Sequence, residues 1–205
     1  MAEVERKSGG LDTLEPMADR RTAILEAACR VIARRGVRGL RVEELAREAG
    51  ISVSLIYYYF EGRENLLRRT LEFVDQRASG YTMPNSGRQL SITETLSESL
   101  AGEVQDDPKV RENSAVWGEL RSSAWFDEAV RETVSRLTEK WVSLVADRIR
   151  TGQATGEVAK TADPRAAAER LTALVEGVSG RWLAGEISAD HAQRLIRTGV
   201  RHELE

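Results

Sequence analysis

Apolar residues in this chain recur at intervals of three and four positions, and this spacing constrains the fold more than any other feature of the sequence. An α-helix places such residues along one side, where they form a single apolar stripe. The first stripe consists of Ile24, Ala27, Ala28, Val31 and Ile32. Similar stripes recur up to Val200, and no segment of useful length alternates apolar with polar residues as a half-buried strand does. The sequence therefore predicts an all-α fold.

Turn and capping residues divide the stripes into three predicted regions. Residues 1–17 mix Gly, Ser and charged residues without periodicity, which predicts a flexible N-terminal tail. Residues 18–63 contain three short helices separated by glycines, and residues 64–205 contain further, longer helices. The segment 79–87, SGYTMPNSG, has the composition of a loop and is expected to follow the fourth helix. We therefore expect a small N-terminal domain followed by a larger helical domain.

Composition limits where the protein acts and which chemistry it supports. No apolar run approaches the roughly 20 residues that cross a membrane, and the first residues lack the apolar segment of a secretory signal. We therefore expect a cytoplasmic protein with no membrane partner. Cys29 is the only cysteine and lies in an apolar stripe, which predicts an unreactive buried thiol and no zinc site made of cysteines. The formal net charge is −3, but residues 18–63 carry a net charge of +3.

This net-positive region ends with a segment that has the physical properties of a helix-turn-helix, VEELAREAGISVSLIYYYF. Ala46 is small enough to let two helices cross closely. Gly50 can adopt the positive φ angle that the turn needs. Ile51 would enter the core just after the turn, and Ser52 would cap the next helix. In such motifs the second helix enters the major groove of DNA.

The two faces of that second helix have different expected roles. Three side chains at helical spacing are expected to pack inward: Ile56, Tyr59 and Phe60. Tyr57 would bind a phosphate through its hydroxyl. Ser54, Leu55 and Tyr58 would contact base edges, with Leu55 against a thymine methyl. An alternative is that the aromatic run is only a core stripe, but consecutive helical residues lie about 100° apart and cannot all share one face.

The segment from Gly36 through Leu66 resembles the DNA-binding signature of TetR-type (tetracycline-repressor) regulators. The turn matches at Ala46, Ala49, Gly50, Ile51 and Ser52; the aromatic run matches at Ile56, Tyr57, Tyr59 and Phe60; the next helix start matches at Arg63, Glu64 and Leu66. The resemblance implies an N-terminal DNA-binding domain and a C-terminal helical ligand-binding and dimerisation domain. It also implies a homodimeric regulator, most often a repressor, that a small molecule releases from double-stranded operator DNA.

Three positions depart from the family pattern. Arg41 stands where the family has a threonine, so it can replace a phosphate contact but not a helix cap. Glu61 replaces a common lysine and adds repulsion towards DNA. The recognition helix starts with Val53-Ser54-Leu55, which predicts a distinct operator. The candidate DNA-binding residues are Arg41, Ser52, Val53, Ser54, Leu55, Tyr57, Tyr58 and Arg63.

All four tryptophans lie in the second region, where the resemblance implies a cavity. Any one of them can simply fill the core. Ligand pockets, however, are lined by aromatic side chains together with a few polar groups. Because tryptophans and charged residues are neighbours in the sequence here, we expect a site for an amphipathic or charged effector. The candidate ligand-binding residues are Trp117, Arg121, Trp141 and Arg148.

The last two helices, within residues 164–203, are the candidates for a dimer interface. Each carries an apolar stripe, and glycines inside a helix cost about 1 kcal/mol each relative to alanine, so a packing reason is expected. The resemblance implies a four-helix bundle built from these two helices of each subunit. The candidate interface residues are Leu171, Leu174, Val178, Trp182, Leu195, Ile196 and Gly199.

Two other classes of function were weighed against a regulator. An enzyme has little support, because the only histidines are His191 and His202 in the last helix and no metal-ligand spacing, catalytic triad order or phosphate-binding glycine loop occurs. We therefore expect no catalytic residue, cofactor or metal. The other alternative is a helical adaptor without DNA contacts, which salt-dependent DNA binding would distinguish from a regulator.

Overall fold

A computed structural model describes residues 17–83 and 90–204, and within these ranges the chain forms nine α-helices and no β-strand. The helices are α1 (Met17–Arg35), α2 (Val42–Ala49), α3 (Val53–Phe60), α4 (Arg63–Thr82), α5 (Ile92–Ala101), α6 (Pro108–Ser123), α7 (Glu128–Thr155), α8 (Pro164–Leu183) and α9 (Ala189–Leu204). A short 3₁₀ turn, Val37–Gly39, lies between α1 and α2. The all-α prediction is confirmed for this part of the chain. The predicted tail lies outside the described residues up to residue 16.

Several helices begin where a short polar side chain accepts hydrogen bonds from the first free backbone N–H groups. Ser52 Oγ accepts from the N–H of Leu55, which caps α3. Asp163 caps α8 directly before the proline that opens it, and Ser188 Oγ accepts from the N–H of His191. In the sequence, Ser52, Asp163 and Ser188 each directly precede an apolar helical stripe, which predicts these three caps, and they are confirmed.

Helix α4 is longer than the sequence predicted. Residues 79–82, expected in a loop, continue the helix, and residues 84–87 of that predicted loop lie outside the described ranges. Tyr81 explains the extension, because its hydroxyl accepts a 2.7 Å hydrogen bond from Asn113 Nδ2 on α6. Thr82 Oγ1 also donates to the backbone oxygen of Ala78. A tertiary contact thus overrides the loop-like composition of this segment.

Two groups of buried side chains form the core. The first joins α1–α4 to α6 and the amino half of α7, so the predicted domain boundary after residue 63 falls inside it. The second joins α5, the carboxyl half of α7, α8 and α9. Cys29 is buried in the first group, and burial raises the pKa of its thiol to about 12. Within the described ranges, no helix is both long and apolar enough to span a bilayer.

Candidate DNA interface and ligand cavity

The connection between α2 and α3 has the geometry of a helix-turn-helix. Gly50 ends α2 in the left-handed region, with φ 68° and ψ 30°, where a side chain would be strained. The N–H of Ile51 then donates to the backbone oxygen of Ala46 over 3.0 Å. Ala46 is buried where the two helices cross. The predicted turn is confirmed, and it fixes the direction in which α3 leaves α2.

Helix α3 has one buried face and one exposed face. Ile56 and Phe60 are almost fully buried, and Tyr59 is half-buried beside them. Tyr57 and Tyr58 are exposed, with 52% and 68% of their surface accessible. The aromatic run is therefore not a single core stripe, because two of its rings face solvent.

Small polar and apolar side chains surround the two exposed tyrosines. The hydroxyls of Ser52 and Ser54 lie 2.9 Å apart at the start of α3, and both residues are exposed. Val53 and Leu55 are only half-buried, so part of each apolar side chain remains accessible. This surface offers hydroxyl groups and methyl groups, which are the groups that contact phosphates and base edges. The role of these side chains in DNA binding stays a prediction.

Arg41 and Glu61, two residues that depart from the family pattern, lie at helix ends. Arg41 precedes α2, is exposed and makes no side-chain capping bond, as the sequence predicted for an arginine at this position. Glu61 follows α3 with φ 55°, which makes it the only non-glycine residue of the described ranges with a positive φ. Its backbone N–H donates to the oxygen of Tyr57. Glu61 thus ends α3 in a conformation that glycine or asparagine adopts more easily.

The structure changes the interpretation of Arg63. Its guanidinium donates to the backbone oxygens of Leu40 and Val37, each over 2.7 Å. Both oxygens belong to the connection between α1 and α2. Arg63 therefore fixes that connection to the start of α4, and its two terminal nitrogens are already engaged within the protein. This placement argues against the phosphate contact that the sequence predicted. We therefore propose no DNA contact for Arg63.

Helix α6 reaches the same connection from the opposite side. Glu119 Oε2 accepts a 3.0 Å hydrogen bond from the N–H of Val37. Gly36, the preceding residue, has φ 71°, and a Cβ atom there would lie 2.7 Å from Glu119 Oε2. The contact thus needs glycine both for its conformation and for the close approach of the carboxylate.

A cavity of about 260 Å³ lies between α4, α5, α6, α7 and α8. The four residues predicted to bind a ligand all line it, although they come from two different helices: Trp117, Arg121, Trp141 and Arg148. Trp117 and Trp141 are half-buried, and the guanidinium of Arg121 lies 5.6 Å from the centre of the Trp117 ring. The structure therefore brings the predicted residues together, while their binding of a ligand stays a prediction.

Sequence reasoning missed several polar residues of the cavity wall, among them Tyr81, Glu103 and Asn113. Tyr81 fell in the predicted loop. Glu103 continues the apolar face of α5 that Leu96 and Leu100 form, and an acidic residue at this position was the signal that could have identified it. Asn113 is almost fully buried, and its Oδ1 has no hydrogen-bond partner. An unpaired buried acceptor of this kind is costly and is unusual outside binding sites.

Burial changes the acidity of the groups in the cavity wall. It raises the pKa of Glu103 to about 7, and the negative charge of Asp75 adds to this effect. Burial also raises the pKa of the Tyr81 hydroxyl, so this group stays protonated and can donate a hydrogen bond. Glu176 has a raised pKa because of burial, which its ion pair with Arg121 partly offsets. The cavity thus combines aromatic rings with polar groups that are largely shielded from water.

Two family models match most of the chain. The model for bacterial regulatory proteins of the TetR family matches residues 24–70, and the model for the C-terminal part of BetI-type transcriptional repressors matches residues 93–205. The chain belongs to the TetR family. Proteins of this family are transcriptional regulators and not enzymes, which agrees with the function inferred from the sequence.

Other TetR-family proteins resemble the chain over nearly its whole length. A TetR-family transcriptional regulator from Rhodococcus sp. is 45% identical, covers 92% of this chain and 100% of its own, and superposes with a TM-score of 0.86. A regulator from Saccharomonospora viridis, solved in complex with choline, is 26% identical over 92% of this chain and 98% of its own, with a TM-score of 0.79. The regulator BetI of Brucella anthropi is 26% identical over 84% of each chain.

The dimer-interface predictions for this TetR-family chain need correction. Four of the predicted residues are buried in the core of their own subunit and are not available to a partner: Leu171, Val178, Trp182 and Ile196. Gly199 packs within the subunit as well, because a Cβ atom there would lie 2.3 Å from Leu174 Cδ2. Leu195 is 37% exposed, Leu174 is half-buried and Gly177 faces open space. The apolar stripes that suggested an interface mainly pack α8 and α9 against each other and against α7 and α5.

Proposed function

We propose that this chain is a homodimeric repressor that binds double-stranded operator DNA and leaves it when a small molecule fills the cavity. One observation carries the proposal. The two helices that hold the connection between α1 and α2, namely α4 through Arg63 and α6 through Glu119, also form walls of the cavity. A ligand that moves either helix therefore acts on the elements that position the recognition helix.

The DNA-binding part of the proposal rests on the exposed face of α3. Tyr57 would bind phosphate, and Tyr58 and Ser54 would contact base edges in the major groove. Arg41, with no partner among the described residues, would supply a phosphate contact at the start of α2. The remaining proposed contacts are Ser52, Val53 and Leu55. A target of this kind agrees with the expectation of a cytoplasmic protein.

The effector part of the proposal rests on the chemistry of the cavity. The neighbour from Saccharomonospora viridis was solved with choline. In this chain, Trp117 and Trp141 offer aromatic faces, which attract organic cations. Glu103 offers a carboxylate in the same wall, with no basic partner among the described residues. These features favour an effector that carries a quaternary ammonium group.

Dimerisation would use the exposed faces of α8 and α9, including Leu195, Leu174 and Gly177. A two-fold dimer presents two recognition helices, and two successive major grooves lie about 34–36 Å apart. DNA affinity then depends on whether α3 of each subunit holds that separation. An effector releases the operator only if it binds more tightly to the arrangement that does not fit DNA.

The first experiment identifies the operator and tests its release. Duplexes selected from a random pool by the purified protein should bind with an affinity that falls steeply as salt rises. Choline should weaken this binding by roughly 150-fold if the coupling is about 3 kcal/mol. The matched control is the choline analogue in which a carbon atom replaces the quaternary nitrogen, and it should have little effect.

Two outcomes would contradict the proposal. Salt-independent binding or no binding to duplex DNA would favour the adaptor. An effector that binds the cavity and leaves operator affinity unchanged would point to a constitutive DNA-binding protein. Tyr57→Phe should weaken binding to all duplexes about equally, whereas Tyr58→Ala should change the selected sequence.

A further inference from the structure

The charged side chains of the cavity wall do not all have partners within the protein. The wall contains three acidic and three basic residues: Asp75, Glu103, Glu176, Arg121, Lys140 and Arg148. Lys140 Nζ lies 2.7 Å from Asp75 Oδ2, and Arg121 forms an ion pair with Glu176. Among the described residues, Glu103 and Arg148 form no ion pair. One negative and one positive group are therefore left for a ligand.

Glu103 is the acidic residue of the cavity wall that forms no ion pair within the described ranges. Its carboxyl has Asp75 as a nearby like charge, and no basic side chain of the described ranges neutralises it. Tyr81 and Asn113 line the cavity near it, and neither is charged in the neutral range. A cation bound against this unpaired carboxyl would favour its charged form, and their attraction is strong where little water surrounds the pair.

Arg148 is the basic residue of the cavity wall that forms no ion pair within the described ranges. Its Nη1 donates to Ser99 Oγ over 3.2 Å, and no carboxylate of the described residues pairs with it. Ser99 lies near the end of α5, and Glu103 lies two residues beyond its last residue, Ala101; both line the cavity. Arg148 and Glu103 thus line one cavity of about 260 Å³ and do not pair with each other.

We propose that the effector is a zwitterion that places its cationic group against Glu103 and its anionic group against Arg148. This proposal rests on the proposed function, since it specifies the chemical class of the effector in the same cavity. A ligand with only a positive charge leaves the Arg148 guanidinium without an anionic partner. A zwitterion satisfies both groups and brings no net charge into the cavity, which limits the cost of desolvation.

The test compares ligands that differ by one charged group. Isothermal titration calorimetry on the intact protein would use γ-butyrobetaine, which carries a trimethylammonium and a carboxylate, choline, which lacks the carboxylate, and butyrate, which lacks the ammonium. γ-Butyrobetaine should bind at least about tenfold more tightly than either of the others, since a charge-assisted pair supplies at least that factor. Arg148→Gln should reduce the ratio between γ-butyrobetaine and choline to about one. Glu103→Gln should reduce the ratio between γ-butyrobetaine and butyrate in the same way.

Matched controls are Arg150→Gln and Glu132→Gln, because both residues lie on α7 outside the cavity wall, and both ratios should stay at wild-type values. Choline binding as tightly as γ-butyrobetaine, or an unchanged ratio in Arg148→Gln, would overturn the proposal. The proposed function fails separately. If γ-butyrobetaine binds as expected and operator stays bound, the ligand class stands and the repressor mechanism is wrong. If choline releases operator and γ-butyrobetaine does not bind, the repressor mechanism stands and the ligand class is wrong.

Discussion

The backbone N–H of Val37 donates a 3.0 Å hydrogen bond to Glu119 on α6, across 82 residues of sequence. Trp117 and Arg121, two residues to either side of Glu119, line the cavity. One short stretch of α6 therefore contacts both the ligand cavity and the first helical connection of the DNA-binding region. This contact is the most direct route by which a displacement of α6 reaches α2 and α3.

Glu119→Ala should weaken the response of the protein to effector. The variant leaves the half-buried N–H of Val37 without an acceptor, which costs about 1–3 kcal/mol, and removes the connection through α6. Urea unfolding would measure the stability, and operator affinity with and without choline would measure the response. Glu119→Gln is the control, because its amide oxygen can still accept the bond. An undiminished response in Glu119→Ala would show that the hydrogen bond between Val37 and Glu119 does not transmit the signal.

Arg63→Ala should lower stability more than it alters the electrostatics of DNA binding. The variant removes two hydrogen bonds from a charged donor, and we expect the free energy of unfolding to fall by about 2 kcal/mol. Operator affinity should decrease, but the slope of log affinity against log salt should stay the same. A phosphate contact would instead lower that slope by about one unit, so the slope decides between the two roles.

These two residues show what sequence patterns could and could not predict here. The caps at Ser52 and Asp163 and the turn at Gly50 are local, so short-range rules found them. Arg63 lay inside a recognised motif, yet its partners are backbone oxygens of another segment, which spacing does not reveal.

The dimer-interface errors have a related cause. A stripe containing Leu171 and Ile196 shows that one side of each helix is covered, but not whether the same subunit or a partner covers it. The sequence-based prediction placed Trp117 and Trp141 at a cavity, which both residues line, because large aromatic side chains tend to concentrate at binding sites; their binding of a ligand stays a prediction. It missed Glu103, whose importance depends on burial.

Leu195→Glu should convert the protein to a monomer without unfolding it. The side chain is 37% exposed on the face of α9 that we propose for dimerisation, so a charge there disturbs a partner more than its own core. Sedimentation velocity at micromolar concentration would measure the change. Leu171→Ala serves as the comparison, because it empties a buried site and should cost about 2–5 kcal/mol of stability. A Leu195→Glu protein that remains dimeric would place the interface elsewhere.

Glu103→Gln should stabilise the ligand-free protein at pH 8. The folded state raises the pKa of Glu103 from 4.5 to about 7, so folded protein holds this proton more tightly than unfolded protein. The contribution of this residue to stability therefore falls as pH rises from about 4.5 to 7 and stays low above that range. We expect the amide to recover on the order of 2 kcal/mol at pH 8 and almost nothing at pH 4.

Chemical denaturation at both pH values would check this expectation, with Glu132→Gln as the exposed control. The other titratable groups of the cavity wall, Asp75, Tyr81, Lys140 and Glu176, are present in both proteins, so the difference reports the ionisation of Glu103 together with its interaction with the neighbouring charge of Asp75. Equal stabilisation at pH 4 and pH 8 would mean that Glu103 does not titrate in this range.

The cavity wall draws its residues from α4 to α8, and none of its lining residues belongs to α1, α2 or α3. Mutations that alter which molecule is sensed can therefore accumulate without changing the surface that contacts DNA, and the reverse also holds. Hybrid regulators made by exchanging residues 17–60 between relatives should be viable where the core that α1 shares with α4 and α6 stays compatible, together with the contacts of Gly36, Val37, Arg63 and Glu119. Natural selection can therefore change the ligand specificity and the DNA specificity of such a chain separately, provided that the contacts between the two regions are kept.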